Sequence, residues 1–124
     1  MKIHNFYELD AWKKGHDLVL EIYLITKDFP KDELYGIISQ MRRAVYSITA
    51  NIAEGFARFH FKDKVRFYYQ ARGSAAEIQN FLFISKDLQY ISGEQSKILW
   101  IKSVDVIKLI NGLIRSTETQ IANY

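Results

Sequence analysis

The chain has 124 residues, 48% of them hydrophobic and 25% charged, with a formal net charge of +3. These are ordinary values for one compact domain over residues 1–124, and they exclude a disordered chain. One Pro and six Gly are too few for a turn-rich β-sandwich, the absence of Cys removes disulfides and thiol chemistry, and no apolar run is long enough to cross a membrane.

Residues Met1–Asp10 hold one base, Lys2, and no apolar leader, so the expected location is the cytoplasm. Four apolar-periodic segments follow, divided by three breaks. The first runs from Asp10, a candidate N-cap, to Asp28. Ala11, Gly15, Leu18, Ile22, Ile25 and Phe29 form one seam, and Trp12, His16, Val19 and Tyr23 a second beside it. Two adjacent seams let one helix touch two neighbours. Phe29-Pro30 closes this segment. The second, about Lys31 to Arg58, carries Leu34, Ile38, Met41, Val45, Ile48 and Ile52 at alternating steps of four and three, with Gly55 placed to loosen its last turn. The third, about Lys62 to Leu88, starts without a good cap at His60-Phe61, and its seam is Phe61, Tyr68, Ala71, Ala75, Ile78, Leu82 and Ser85. Ser92-Gly93-Glu94-Gln95 then fits a capping box, opening a fourth helix to about Ala122 with Leu99, Val106, Ile110 and Leu113 inward. Short connections force antiparallel neighbours, so the expected fold is all-α: an antiparallel up-down-up-down four-helix bundle. Helices two and three would each be roughly 40 Å long at 1.5 Å per residue.

Charge is unevenly placed. Between Gln40 and Arg72 lie seven bases (Arg42, Arg43, Arg58, Lys62, Lys64, Arg66 and Arg72) against two acids, Glu54 and Asp63. That window holds five of the six arginines, the residue suited to bidentate phosphate contact. A polar stripe shares the same hairpin: Ser47, Asn51, Glu54 and Arg58 on helix two, and Gln70, Ser74 and Glu77, with Gly73, on helix three. With the turn near residue 60, antiparallel pairing sets Glu54 near Arg66, Arg43 near Glu77, and Ser47 near Gly73 and Ser74. Gly73 would there permit a close helix approach. The stripe either fixes helix register or presents its arginines to phosphates.

No catalytic constellation is present. His4, His16 and His60 are scattered, no zinc-protease or di-iron motif occurs, and no Gly-rich phosphate loop exists. Glu54 and Glu77 would stand about 10 Å apart along the helices, too far for one ion. The expectation is therefore a non-enzyme with no catalytic residue, metal or cofactor. Aromatics are abundant. Phe56, Phe59, Phe61, Phe67, Tyr68 and Tyr69 cluster around the second turn among the bases, a mixture that suits single-stranded or looped RNA but equally fills a bundle end. Tyr7, Trp12, Tyr23, Tyr35, Tyr46, Phe83, Tyr90 and Trp100 exceed what a monomer surface carries, so a homo-oligomer is expected.

The ordered string Phe29-Pro30, Glu33-Leu34-Tyr35-Gly36, Gln40-Met41-Arg42-Arg43-Ala44, Ser47-Ile48, Asn51-Ile52-Ala53-Glu54-Gly55 and Arg58 continues into Ala71-Arg72-Gly73-Ser74, Glu77, Asp87-Leu88 and Tyr90. Over about Leu9 to Tyr90 this resembles the four-helix-bundle proteins encoded in intervening sequences of bacterial 23S rRNA genes. It departs from their pattern at His60-Phe61, where a small polar cap is usual. The resemblance implies a cytoplasmic bacterial bundle, a barrel-shaped homopentamer and a nucleic-acid role linked to rRNA. The wider group is similar to accessory proteins of diversity-generating retroelements, basic pentamers that engage a reverse transcriptase and nucleic acid. The signature carried over is Arg42, Arg43, Ser47, Asn51, Glu54, Gly55, Arg58, Gly73, Ser74 and Glu77.

Two functions are thus expected in competition. The first is an oligomeric RNA- or DNA-binding bundle using the seven bases, with Arg43 and Arg66 engaged internally and Arg58, Lys62 and Lys64 reaching solvent. The second is a protein–protein scaffold or retroelement accessory protein whose polar stripe is purely structural.

Overall fold

The computed structural model describes residues 2–123. Four helices dominate: α1 (Asp10–Thr26), α2 (Ser39–Ala57), α3 (Phe61–Asp87) and α4 (Gly93–Ala122). Each packs on its sequence neighbours, and α1 closes the ring against α4, the arrangement of an up-down-up-down bundle. The predicted seams form the core: Leu18 and Ile22 of α1, Met41, Val45, Ile48 and Ile52 of α2, Ala71, Ala75, Ile78 and Leu82 of α3, and Leu99, Val106 and Ile110 of α4 are all buried. Burial of this kind stabilises by about 25 cal/mol per Å² of apolar surface removed from water.

The helix ends depart from the sequence reading in instructive ways. Asp10 is the first residue of α1, not its cap; the cap position is Leu9, because a 3₁₀ turn at Phe6–Glu8 leads directly into the helix. The Asp10 carboxylate still sits at the positive end of the helix dipole. Within α1, Thr26 replaces Ile25 as the buried residue, and its hydroxyl donates to the Ile22 carbonyl at 2.7 Å. The Ser92 capping box forms as read, with Gln95 N–H donating to Ser92 Oγ at 3.0 Å and Ser92 N–H to Gln95 Oε1 at 2.9 Å. Just before it, Gln89 takes a left-handed φ of 63° and turns the chain so that Tyr90 N–H reaches the Ser85 carbonyl at 2.8 Å.

The largest correction falls on α2, which starts at Ser39 rather than Lys31 and is therefore about 28 Å long, against about 40 Å for α3. Residues Lys31–Glu33 form a 3₁₀ turn and Leu34–Ile38 a wide π turn, broken at Gly36 (φ −108°, ψ −118°). A Cβ at Gly36 would lie 2.6 Å from Glu33 Oε1. Glu33 is folded back there because Tyr90 Oη donates to its Oε2 at 2.8 Å, while the Tyr90 ring packs on buried Phe29 at 5.2 Å. The α1–α2 connection is thus tied across to the α3–α4 connection. Leu34, displaced from the seam, is exposed, and Tyr35 is 92% exposed.

Two glycines have opposite roles. At Gly55 an added Cβ would lie 2.7 Å from Tyr68 Cε1 and 3.1 Å from the Lys64 carbonyl. Its reason is therefore close packing of α2 on α3, not loosening of a helix end. Around Gly73 nothing lies within 4 Å of an added Cβ, and the residue is exposed, which overturns the expected close approach there. Gly55→Ala should therefore destabilise by about 1–3 kcal/mol through overpacking. Gly73→Ala should stabilise by about 0.5–1 kcal/mol through helix propensity alone. Thermal unfolding of the two variants should move in opposite directions.

Burial pushes the Tyr68 hydroxyl up to about 12. An unfolded tyrosine ionises near 10, so the native state holds this proton through a window where the unfolded chain releases it. Stability should be intact below pH ~10 and fall by about 1.4 kcal/mol per pH unit as pH rises towards 12. Denaturant midpoints measured across that window check this, and Tyr68→Phe should flatten the dependence.

Candidate nucleic-acid interface

The polar stripe on α2 and α3 is a register lock over its buried half. Ser47 Oγ and Ser74 Oγ share a hydrogen bond of 2.9 Å across the helices, as the antiparallel pairing predicts. Asn51 Nδ2 donates to the Ser47 carbonyl at 2.8 Å and to Ser47 Oγ at 3.1 Å. Small side chains that satisfy one another let the helices pack without an orphaned donor. Neither expected cross-helix ion pair forms. Glu54 pairs with Arg58 one turn on, at 3.5 Å, instead of with Arg66. Arg66 pairs with Asp63 at 4.0 Å, and Arg43 and Glu77 are both exposed and unpaired with each other. Local i,i+3 and i,i+4 spacing on one helix outcompetes the longer reach to the neighbour.

The seven candidate bases separate into two groups. Arg42, Lys64 and Arg72 are held internally. Arg42 Nε donates to Thr26 Oγ1 at 3.0 Å and its guanidinium lies 4.7 Å over the Tyr23 ring, fastening α2 to α1. Arg72 Nη1 donates to Asn111 Oδ1 at 2.9 Å and its guanidinium sits 4.8 Å over Tyr69, fastening α3 to α4. Lys64, expected in solvent, donates from Nζ to the Phe56 carbonyl at 2.6 Å, near the C-terminal end of α2. That carbonyl lies where the helix presents its unpaired acceptors, so a cation is well placed. Burial lowers the Lys64 pKa.

The second group is Arg43, Arg58, Lys62 and Arg66, all exposed. Arg43 and Lys62 form no ion pair among the described residues. The Arg58 and Arg66 guanidinium carbons lie over one ring, Phe67, at 4.7 and 5.4 Å from its centroid. A ring face attracts guanidinium while leaving its in-plane N–H donors free. Their carboxylate partners are solvent-exposed, and such pairs are worth about 0–1 kcal/mol. Arg58 and Arg66 thus meet on Phe67 close to the α2–α3 turn, where Lys62 lines an open hollow of about 450 Å³ with His60, Phe61, Asp63 and Ile121.

The clustered aromatics mostly have structural work. Tyr68 is 3% exposed in the core, Phe56 lies under Lys64, and Tyr69 Oη donates to Glu118 Oε2 at 2.5 Å. Phe59 is the exception, 88% exposed at the turn and edge-on to His60 at 5.1 Å. Of the eight aromatics expected on the surface, Trp12, Tyr23, Tyr90 and Trp100 instead pack against the bundle's own core. The sequence does not announce the ladder along α3 and α4: Tyr69 with Glu118, Arg72 with Asn111, and Gln79 with Ser103 at 3.0 Å. Its partners lie 24 to 49 residues apart and share no spacing within one helix. No three metal-ligating side chains come together among the described residues.

A solved structure of a protein with unknown function from the S23 ribosomal protein family of Bacteroides thetaiotaomicron VPI-5482 has this fold, with a TM-score of 0.75 and 22% identity. The likeness covers 84% of this chain and 97% of that one. No curated protein matches the chain. The sequence model of the 23S rRNA-intervening sequence proteins matches residues 7–112, a span that holds α1, α2 and α3 whole, the register lock, the Gly55–Tyr68 contact and all seven candidate bases. The chain therefore belongs to the 23S rRNA-intervening sequence protein family.

Proposed function

We propose that this chain is a non-enzymatic, cytoplasmic nucleic-acid-binding bundle, with structured RNA as its ligand and the α2–α3 turn as its contact surface. The observation that carries this reading is the grouping of Arg58 and Arg66 on the Phe67 ring beside Lys62. Two guanidinium forks and one ammonium face solvent there, and exposed Phe59 offers a ring face for an unpaired base. The family's association with intervening sequences of 23S rRNA supports RNA over other polyanions.

The reading includes self-association. Leu20 and Leu24 on α1 and Ile98 and Ile101 on α4 are large, apolar and exposed. Covering them with further copies would also repeat the basic turn around an assembly and strengthen its field. The same residues favour a second reading, a scaffold or retroelement accessory protein whose partner is another protein. Light scattering at micromolar concentration should give a mass several times the 14.6 kDa of one chain. A monomer would refute the self-association.

Fluorescence anisotropy with a labelled rRNA-type hairpin and a duplex DNA, at about 50 and 200 mM salt, tests the contact surface. The protein should bind the hairpin more tightly, with steep salt dependence. Replacing Arg58, Lys62 and Arg66 by Glu should abolish measurable binding at the higher salt with helicity unchanged. Replacing them by Ala should reduce the log–log salt slope by about three, one per phosphate contact. Salt-insensitive binding, or an unchanged affinity in the Glu variant, would favour the scaffold reading. Arg42→Ala should instead lower stability while leaving the salt slope unchanged.

A further inference from the structure

At the far end of the bundle, about 30 Å along α3 from the basic turn, lies a second basic and aromatic feature. A hollow of about 170 Å³ opens between α3 and α4, lined by Phe83, Lys86, Gly93, Ser96, Lys97 and Trp100. Phe83 is 56% exposed and meets Trp100 edge to face, with centroids 5.3 Å apart and an interplanar angle of 67°. Nothing lies within 4 Å of a Cβ built on Gly93, so that wall stays open. Lys86 and Lys97 stand exposed on opposite helices and form no ion pair among the described residues. Lys102 on α4, by contrast, is held by Asp17 and Glu21 at 3.5 and 2.9 Å. Asp87 and Glu94, the nearest acids in sequence, do not line the hollow.

We propose that this hollow binds one nucleotide of a single-stranded nucleic acid, its base against Phe83 and Trp100 and its flanking phosphates on Lys86 and Lys97. Three features select that ligand. The volume admits one ring system and falls well below the roughly 300 Å³ of a small-molecule pocket. The lining offers a single hydroxyl, Ser96, so a base is taken by its face or edge and not read by hydrogen bonds, which suits sequence-tolerant stacking. Two exposed ammonium groups without ion pairs line the same hollow from opposite helices, which complements the alternation of phosphate, base and phosphate. An extended peptide would gain less, because the two helices offer no unpaired main-chain edge to hydrogen-bond it. The assignment extends the nucleic-acid reading above to a second ligand form and stands on different residues.

Trp12 and Trp100 are the two tryptophans of the chain, so Trp12→Phe leaves Trp100 as the sole indole reporter. In that background an eight-residue oligouridylate should quench Trp100. For two phosphate contacts its affinity should weaken roughly seven-fold between about 50 and 200 mM salt. Phe83→Ala should weaken it on the order of ten-fold. Lys86→Glu with Lys97→Glu should remove the quench, with helicity confirmed by circular dichroism. Uridine monophosphate should quench only weakly, having one phosphate for two lysines. No quench by the oligouridylate, a quench untouched by the lysine reversals, or a response only to an acidic phenylalanine-bearing peptide would overturn the proposal. The two sites fail separately. Hairpin binding lost in the Arg58, Lys62 and Arg66 variant with the quench retained supports this site. A quench in a protein that never binds the hairpin supports it against the turn reading.

Discussion

Tyr68 occupies the core between α2 and α3 because residue 55 has no side chain. The ring edge lies 2.7 Å from where a Cβ would be, and the same approach brings the Lys64 carbonyl within 3.1 Å of that point. With the helices this close, the turn between them is three residues long, Arg58 to His60. Lys64 folds over the end of α2 onto the Phe56 carbonyl, and Phe67 comes to lie beneath Arg58. The hydroxyl contact between Ser47 and Ser74, two turns further along α2, holds the same spacing. The exposed cations at the turn therefore inherit their positions from a packing constraint in the interior.

The opposite end of the bundle is organised by a hydrogen bond instead. Tyr90 holds Glu33, Glu33 crowds Gly36, and the chain cannot become a regular helix until Ser39. Two connections that are far apart in sequence are joined there, so the ends of α1 and α3 are fixed relative to each other. Arg42 adds a second tie by reaching from α2 to Thr26 and Tyr23. Residues that resemble a phosphate-binding set in one dimension thus divide in three. Arg42, Lys64 and Arg72 complete the fold, whereas Arg43, Arg58, Lys62 and Arg66 are left to meet solvent.

The helices were legible because each carries an apolar seam whose steps of three and four leave little choice of conformation. The Ser92 capping box was legible for the same reason: its two residues act on each other across one turn. The Ser47–Ser74 contact followed from counting outward from the turn. What could not be read depends on side chains meeting across longer separations. Nothing near Gly36 announces that Tyr90 pulls Glu33 aside, so the apolar seam alone places the start of helix two eight residues early. A glycine in a helix carries the same letter whether it faces a ring, as Gly55 does, or open water, as Gly73 does. The expected division of the bases between interior and solvent misplaces Arg43 and Arg66, which are exposed, and Lys64, which is held, the last for a related reason. Its partner is a backbone carbonyl, and no side-chain pattern marks which carbonyl is left open at a helix end.

Phe67 has a consequence for recognition that charge counting omits. Long cationic side chains in free solution sample many rotamers, and freezing one at an interface costs about 0.5–1.5 kcal/mol. Arg58 and Arg66 rest against a shared ring before any polyanion arrives, which narrows that sampling in advance. Lysine at either position would keep the charge but lose the flat stacking surface of guanidinium. In the proposed complex with RNA these two positions would be partly shaped receptors, because part of the conformational entropy that binding removes has already been lost during folding.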